Sequence, residues 1–527
     1  MVWNIASSNG YESRKVRFDV LHYLYAGGLD LGCGAEKVWP HLIGVDSQID
    51  ATLYGTPVKP DLVLPDAADL RVFSDQSAEN IFSSHLLEHL FDWPAALREW
   101  WRVLKTGGHL ILYLPHPDLY PRIGQPGANP DHKHDLDPQA IIDAMRLRFL
   151  DWQLLENQVR DQGNEYSSLL VFRKMPAGHG QTEPWANPRP ARKAGIVRMG
   201  GHGDALWSGS VAAYLHDAGY HVTVYCSDSG REMLRADPHI GEIRVVPQNI
   251  LTDDESIEYW MHQAIGFDKW VNLHGSIEQR LLPHQSVLEF YLPQGVRHRL
   301  MNHNYVDMIH AYAELPEGSV TRQAFYPSPD ETLWAKDARA KLRGPVVFLS
   351  PNGSGPSKAW PHAQRFMQIM ADHGVYTLLC GDLGRMPEVD IVERDRIDYG
   401  LVVGMEWPIR HATTMALHCD AFVGTESVFA NALAMTDITK VVMLSHSSRE
   451  NLTRDWKNCA TLEATSIACH PCHRIHNERA ILCARDTATR ASACMASYSA
   501  ELVAEHVLRA LGIDRQPLGS PAEALAA

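Results

Sequence analysis

The chain has 527 residues, 45% of them hydrophobic and 21% charged, the balance of a soluble globular protein divided into several domains. A formal net charge of −15 argues against a broad grip on nucleic acid or on an anionic bilayer, and no apolar run approaches the roughly 20 residues needed to cross a membrane. Nine cysteines are too sparse for a disulfide scaffold, and the opening Met1–Ala6 lacks the basic and apolar regions of a secretory leader, so a cytoplasmic location is expected.

Apolar runs suited to buried strands alternate with amphipathic stretches along the whole chain, which predicts parallel α/β architecture. Strands are expected at Gly28–Leu31, His41–Val45, Asn80–Ser84 and His109–Tyr113, with a helix over Leu87–Leu104 and a closing hairpin of Trp152–Arg160 and Ser167–Arg173. Glycines after the first strand (Gly32, Gly34) let a nucleotide-like ligand approach the backbone, and an acid at the tip of the second strand, Asp46, can hold a ribose diol. Proline-rich Met175–Lys193 reads as a linker. A second glycine loop, Gly200–Asp204, follows a strand at Ala194–Arg198 and opens a helix over Leu206–Ala218; strands at His221–Cys226 and Trp270–Leu273 extend that unit. After a proline-containing break at Tyr326–Pro329 come strands at Val346–Ser350, Val375–Cys380, Asp420–Val423 and Lys440–Leu444, a last helix over Ser499–Leu511, and a tail expected to be disordered.

In the first unit, Asp30, Gly32, Gly34 and Asp46, then Asp66 with Asp69–Leu70, Asn80–Leu90 and Arg102–Gly108 occur in an order that resembles class I S-adenosylmethionine-dependent methyltransferases. The resemblance covers about residues 15–174. It implies a Rossmann-like sheet, S-adenosylmethionine as cofactor, and Asp30, Gly32, Gly34, Asp46 and Asp66 as cofactor-binding residues. The short Gly34–Asp46 interval requires the helix after the first turn to be truncated. Asp131–Asp135 carries two histidines flanked by acids; a loop over the methyl acceptor is favoured over a metal site there, with His85 and His132 as candidate bases.

In the second unit, Ile196–Ala205, Ser354–Pro361, Cys419–Ser427 running on to Asn431, and the cysteine-containing tail from Cys469 resemble the ADP-heptose:lipopolysaccharide heptosyltransferases of glycosyltransferase family 9. The resemblance spans roughly 194–511 and implies the twin-domain GT-B fold. The domains expected are 1–175 (methyltransferase-like), 176–193 (linker), 194–330 (acceptor half), 331–512 (nucleotide-sugar half) and 513–527 (tail). Inverting sugar transfer needs a base to deprotonate the acceptor hydroxyl, and Asp204 is the candidate. No Asp-x-Asp motif offers a metal for the leaving nucleoside diphosphate, so Lys358 is assigned to neutralise it, with Ser354, Glu426, Ser427 and Asn431 around the nucleotide sugar. Where the family usually carries Asp-Thr/Ser-Gly and then His, this chain has Glu426, Ser427, Val428 and Asn431, which leaves the donor's sugar and base undetermined. Cys469, Cys472, Cys483 and Cys494 begin with a zinc-like pair but continue at loose spacing, and no metal is assigned to them.

The expected function is a bifunctional glycan-modifying enzyme working on a nucleotide sugar and a saccharide acceptor, in surface polysaccharide or lipopolysaccharide biosynthesis. Peripheral contact with the inner face of the membrane, through a lipid-linked acceptor, fits that expectation, and no nucleic-acid partner is expected. The alternatives are a phage-type enzyme that modifies nucleic acid and a non-catalytic glycan-binding scaffold.

Overall fold

The computed structural model of the protein describes residues 11–48, 52–53, 56–183, 192–247, 249–342, 344–381, 401–403, 407–476 and 482–513. The chain forms two compact units, Met1–Ala191 with Arg244–Phe267, and Arg192–Ile243 with Asp268–Ala527. None of the described helices is long and apolar enough to cross a membrane.

The first unit is built on an eight-stranded sheet. In chain order its strands are β1 (Leu29–Leu31), β2 (Ile43–Asp46), β3 (Leu62–Val63), β4 (Ala78–Ser84), β5 (Leu104–Pro115), β6 (Trp152–Arg160), β7 (Ser167–Lys174) and β8 (Gln181–Thr182). Their order across the sheet is β8-β6-β7-β5-β4-β1-β2-β3. β1 runs parallel to both β2 and β4, whereas β7 is antiparallel to β5 and β6, so the predicted hairpin joins the sheet as an antiparallel section, with β8 parallel to β6 beyond it. β1 is buried throughout and the centre of β5 is apolar and buried, as strands covered on both faces must be. Between Gly34 and β2 the chain makes only turns, so the shortened connection has no helix at all. The expected Leu87–Leu104 helix is two elements: a 3₁₀ turn at Leu87–His89, then an α-helix at Trp93–Val103. Asp92 accepts the Ala95 N–H and Pro94 occupies the first turn, a start signal that restarts the helix there.

Helix Glu12–Leu24 packs within this unit against helix Asp253–Ala264, which the sequence encodes much later. Phe18 meets Tyr259 edge to face, and Asp19 bonds His262 at 2.8 Å.

The second unit holds two parallel sheets. β9 (Lys193–Arg198), β10 (His221–Cys226), β11 (Glu242–Val245, at whose middle the chain passes from one unit to the other) and β12 (Lys269–Asn272) take the order β11-β10-β9-β12. β13 (Val346–Ser350), β14 (Tyr376–Leu379), β15 (Leu401–Val403), β16 (Ala421–Thr425), β17 (Thr439–Met443) and β18 (Cys459–Leu462) take the order β15-β14-β13-β16-β17-β18. Both are α/β sheets of Rossmann type, in which ligands bind beyond the carboxyl ends of the strands. One apolar core runs through both halves, taking in Ile196, Val224, Val271, Phe348, Phe422 and Val442. Arg410, buried and bonded to Glu331 at 2.7 and 2.8 Å within the later half, reaches the earlier half through the carbonyls of Met233 and Tyr326. The expected tail after Asp514 and residues 184–191 of the expected linker lie outside the described residues.

Candidate active sites

In the first unit the residues expected to bind a nucleotide-like cofactor gather at the carboxyl ends of β1 and β2. Gly32 (φ +71°) and Gly34 (φ +57°) take left-handed backbone that other residues rarely adopt. A side chain at Gly32 would meet Leu86 at 3.0–3.1 Å, so the turn also passes close to the chain that follows β4. Asp46 Oδ2 accepts the Gly34 N–H at 2.9 Å and Oδ1 accepts that of Gln48 at 2.9 Å. Each oxygen keeps a further lone pair, so a diol can be received by a carboxylate already fixed in place. Asp30 does something else. It is 2% exposed, its Oδ2 takes the Val38 N–H at 2.7 Å, and burial pushes its carboxyl up to about 7. It pins the loop from inside the protein instead of facing a ligand. Asp66 is exposed and folds onto the Ala68 N–H at 2.8 Å, shaping the turn before Leu70.

His85 and His132, the candidate bases, come together with Glu88 and His89 beyond β4. His85 Nε2 lies 3.0 Å from Ser167 Oγ, and burial pushes its imidazole down to about 3, so it stays neutral. His132 is 8% exposed, placed by a loop whose Lys133 and His134 N–H groups donate to the Glu88 carbonyl at 2.9 and 3.2 Å.

In the second unit Asp204 lies in the first turn of helix His202–Asp217, at the glycine loop beyond β9. Its Oδ2 accepts the Gly201 N–H at 2.9 Å, and its Oδ1 is 3.4 Å from Arg198 Nη2. Arg198, 1% exposed, is itself held by Glu278 at 2.9 and 3.2 Å. Loss of solvation and the Glu278 carboxylate push the Asp204 carboxyl above its usual range, while Arg198 and Lys358 oppose the shift. The outcome is a carboxylate made more basic yet still anchored. Arg198 and Glu278 were not singled out from the sequence; an arginine ending an otherwise apolar strand was the available signal.

Lys358 ends a short 3₁₀ turn (Pro356–Lys358) and reaches the Glu426 carbonyl at 3.3 Å. Ser354 is exposed on the loop before it. Glu426 departs from its expected role at the nucleotide sugar. It is 6% exposed, and its carboxylate is occupied by the N–H groups of Ser445 and Ser447, both at 3.1 Å, and by the Ser445 hydroxyl. It clamps the Ser445–Ser448 loop beyond β17. Ser427 is likewise a cap, its hydroxyl accepting the Ala430 N–H at 3.4 Å at the head of helix Val428–Leu433. Asn431 reaches across to the Gly203 carbonyl at 3.4 Å, beside Asp204, and its own Oδ1 is buried without a hydrogen-bond partner.

Behind this loop a small, partly open pocket is lined by Ser357, Ser445, Cys469, Cys472, Cys483 and Cys494, among others. Burial pushes Cys483 up to about 11 and Cys494 up to about 12, so both are protonated thiols at neutral pH. A soft cation entering there would have to displace those protons.

Residues 29–112 match a family model described as a methyltransferase domain. No curated protein matches the chain. Among solved structures it is similar to a glycosyltransferase family 9 protein from Veillonella parvula (11% identity, 62% of this chain and 98% of that one, TM-score 0.45). It is also similar to the ADP-heptose lipopolysaccharide heptosyltransferase II of E. coli (14% identity, 60% and 98%, TM-score 0.42). A third similar structure is an S-adenosylmethionine-dependent methyltransferase from Archaeoglobus fulgidus (17% identity, 31% and 92%, TM-score 0.24).

Proposed function

We propose that the chain is a two-activity transferase that modifies a glycan, with methyl transfer in the first unit and inverting glycosyl transfer in the second. Positioning does most of the work for a sulfonium methyl donor, because the donor arrives activated. Gly32, Gly34 and Asp46 would hold S-adenosylmethionine, with Asp66 at the edge of the adenine. In the second unit a nucleotide sugar would lie along Ser354, Lys358, Ser427 and Asn431, with Asp204 taking the proton of a saccharide hydroxyl as the sugar–phosphate bond breaks. Domain limits of 1–175, 194–330 and 331–512 go with this reading. So does action on a lipid-linked acceptor at the inner membrane face, in the making of a surface polysaccharide.

The observation that carries the reading is the placement of Asp204. A carboxylate raised in basicity stands on the glycine loop of one Rossmann sheet, within electrostatic reach of Lys358 from the next. The deciding experiment offers a panel of nucleotide sugars and scores release of nucleoside diphosphate with saccharide acceptors, with DNA, and with neither. Turnover with a saccharide and no DNA is expected. Turnover that requires DNA would replace this reading with nucleic-acid modification, and silence across the panel would favour a binding scaffold.

A further inference from the structure

Glu88 is a poorly satisfied acid among the described residues of the first unit. It is 1% exposed, and apart from its own backbone N–H neither carboxylate oxygen has a hydrogen-bond partner. A buried carboxyl left this way is costly, more so if charged, so its neighbourhood calls for an explanation. Three imidazole nitrogens surround Oε1 just beyond hydrogen-bonding distance: His132 Nε2 at 3.8 Å, His89 Nε2 at 3.9 Å and His85 Nδ1 at 3.9 Å. That spacing is too long for a shared proton and close to the roughly 3.4 Å between ligand atoms around one tetrahedral ion with bonds near 2.1 Å. Among the described residues, Glu88, His89 and His132 are the group of histidine, cysteine and acidic side chains whose ligand atoms all lie within 4.8 Å of one another.

The supporting shell is in place as well. The loop bearing His132 is tied to the Glu88 carbonyl through Lys133 and His134. The His89 and His132 rings meet edge to face at 4.8 Å, and His89 also faces the Asp131 backbone. Backbone partners of this kind orient ligating imidazoles. His85 stands apart, since it is outside the group whose ligand atoms all lie within 4.8 Å of one another.

We propose that Glu88, His89 and His132 bind one divalent transition-metal cation of the zinc class. Three protein ligands leave a fourth position for an oxygen ligand, which is the arrangement of reactive rather than structural zinc. Leu86, two residues before Glu88, packs against the Gly32 turn, so the ion would sit near the cofactor loop. A hydroxyl on the methyl acceptor could occupy the open position and lose its proton more readily there. That use rests on the methyl-transfer reading; the binding of the ion does not.

The test uses the full-length protein, stripped with chelator and titrated with Co²⁺ while visible absorption is recorded. The expected result is one saturable d–d band without the thiolate charge-transfer band that cobalt on cysteines would add. Glu88→Gln and His132→Ala should each weaken the apparent affinity at least about tenfold, and Cys472→Ser should not change it. His89→Ala, at a side chain 27% exposed, supplies a ligand deletion that leaves the core intact should Glu88→Gln misfold. Absence of the band, or a band unchanged by both Glu88→Gln and His89→Ala, overturns the proposal. Calorimetry with S-adenosylmethionine on the same stripped protein reads the methyl-transfer assignment separately: heat without cobalt binding would remove the ion alone, and cobalt binding without heat would remove only the cofactor.

Discussion

Asp204 serves two ends with one carboxylate, and the two can be separated by a single atom. One oxygen caps its helix through the Gly201 N–H, and an amide oxygen would do the same. Asp204→Asn should therefore fold normally and bind donor normally, yet lose 10²–10⁴-fold in kcat for sugar transfer, the range expected when a general base is removed; steady-state kinetics with the donor identified by the panel would check it. Asp46 differs, because its two oxygens hold the cofactor turn by backbone bonds. Asp46→Ala should abolish the calorimetric signal for S-adenosylmethionine by loosening Gly34 as well as by removing the diol acceptor. The turn glycines and Asp46 were legible in the sequence because a strand–turn–strand motif is local. The role of Glu426 was not: the loop it clamps begins 19 residues further along the chain, and no short-range pattern records which way a buried acid turns. Glu88 and His89 carry no short-range signal for the same reason, since His132 reaches them from a loop over forty residues downstream.

At the scale of elements, the Arg410–Glu331 pair is the most consequential contact inside the second unit. Both side chains are buried, at 0% and 3% exposure, and Arg410 adds two backbone carbonyls to the carboxylate. Replacing Arg410 by Met strands a buried charge, and a loss of about 3–5 kcal/mol in denaturant unfolding is expected. Burial alone would raise Glu331, but Arg410, the Ser328 N–H and Arg235 outweigh it and hold the carboxyl at about 2. A carboxyl depressed in the folded state stabilises fully above its ordinary value of 4.5, and that contribution fades as the pH falls from there towards 2. Acid unfolding of the second unit should accordingly steepen in that window, and Glu331→Gln should flatten it. Strands were read well because their apolar runs are short and bounded; β6, β10 and β13 fall where expected. Helix boundaries were read less well. The Leu87–Leu104 helix ignored Asp92 and Pro94, a stop and restart written in two adjacent signals. Helix His202–Asp217 starts four residues early because Gly201 and Asp204 form a cap.

For the whole molecule, two compact units predict two ligand-specific responses. S-adenosylmethionine at a hundred times its dissociation constant should stabilise the first unit by about 2.7 kcal/mol and leave the second unit's transition where it was, as scanning calorimetry would show. The alternation of strands and helices announced the sheets, but not the ownership of helix Asp253–Ala264. That helix brings Tyr259, 0% exposed, onto Phe18 and gives Asp19 its His262 partner. The gene therefore has no single place at which scissors would yield an intact methyl-transfer half. A fragment ending at Ala191 would be born with an open wound along Glu12–Leu24, and only by restoring the borrowed helix, in cis or as a supplied peptide, should it regain the parent's packing there.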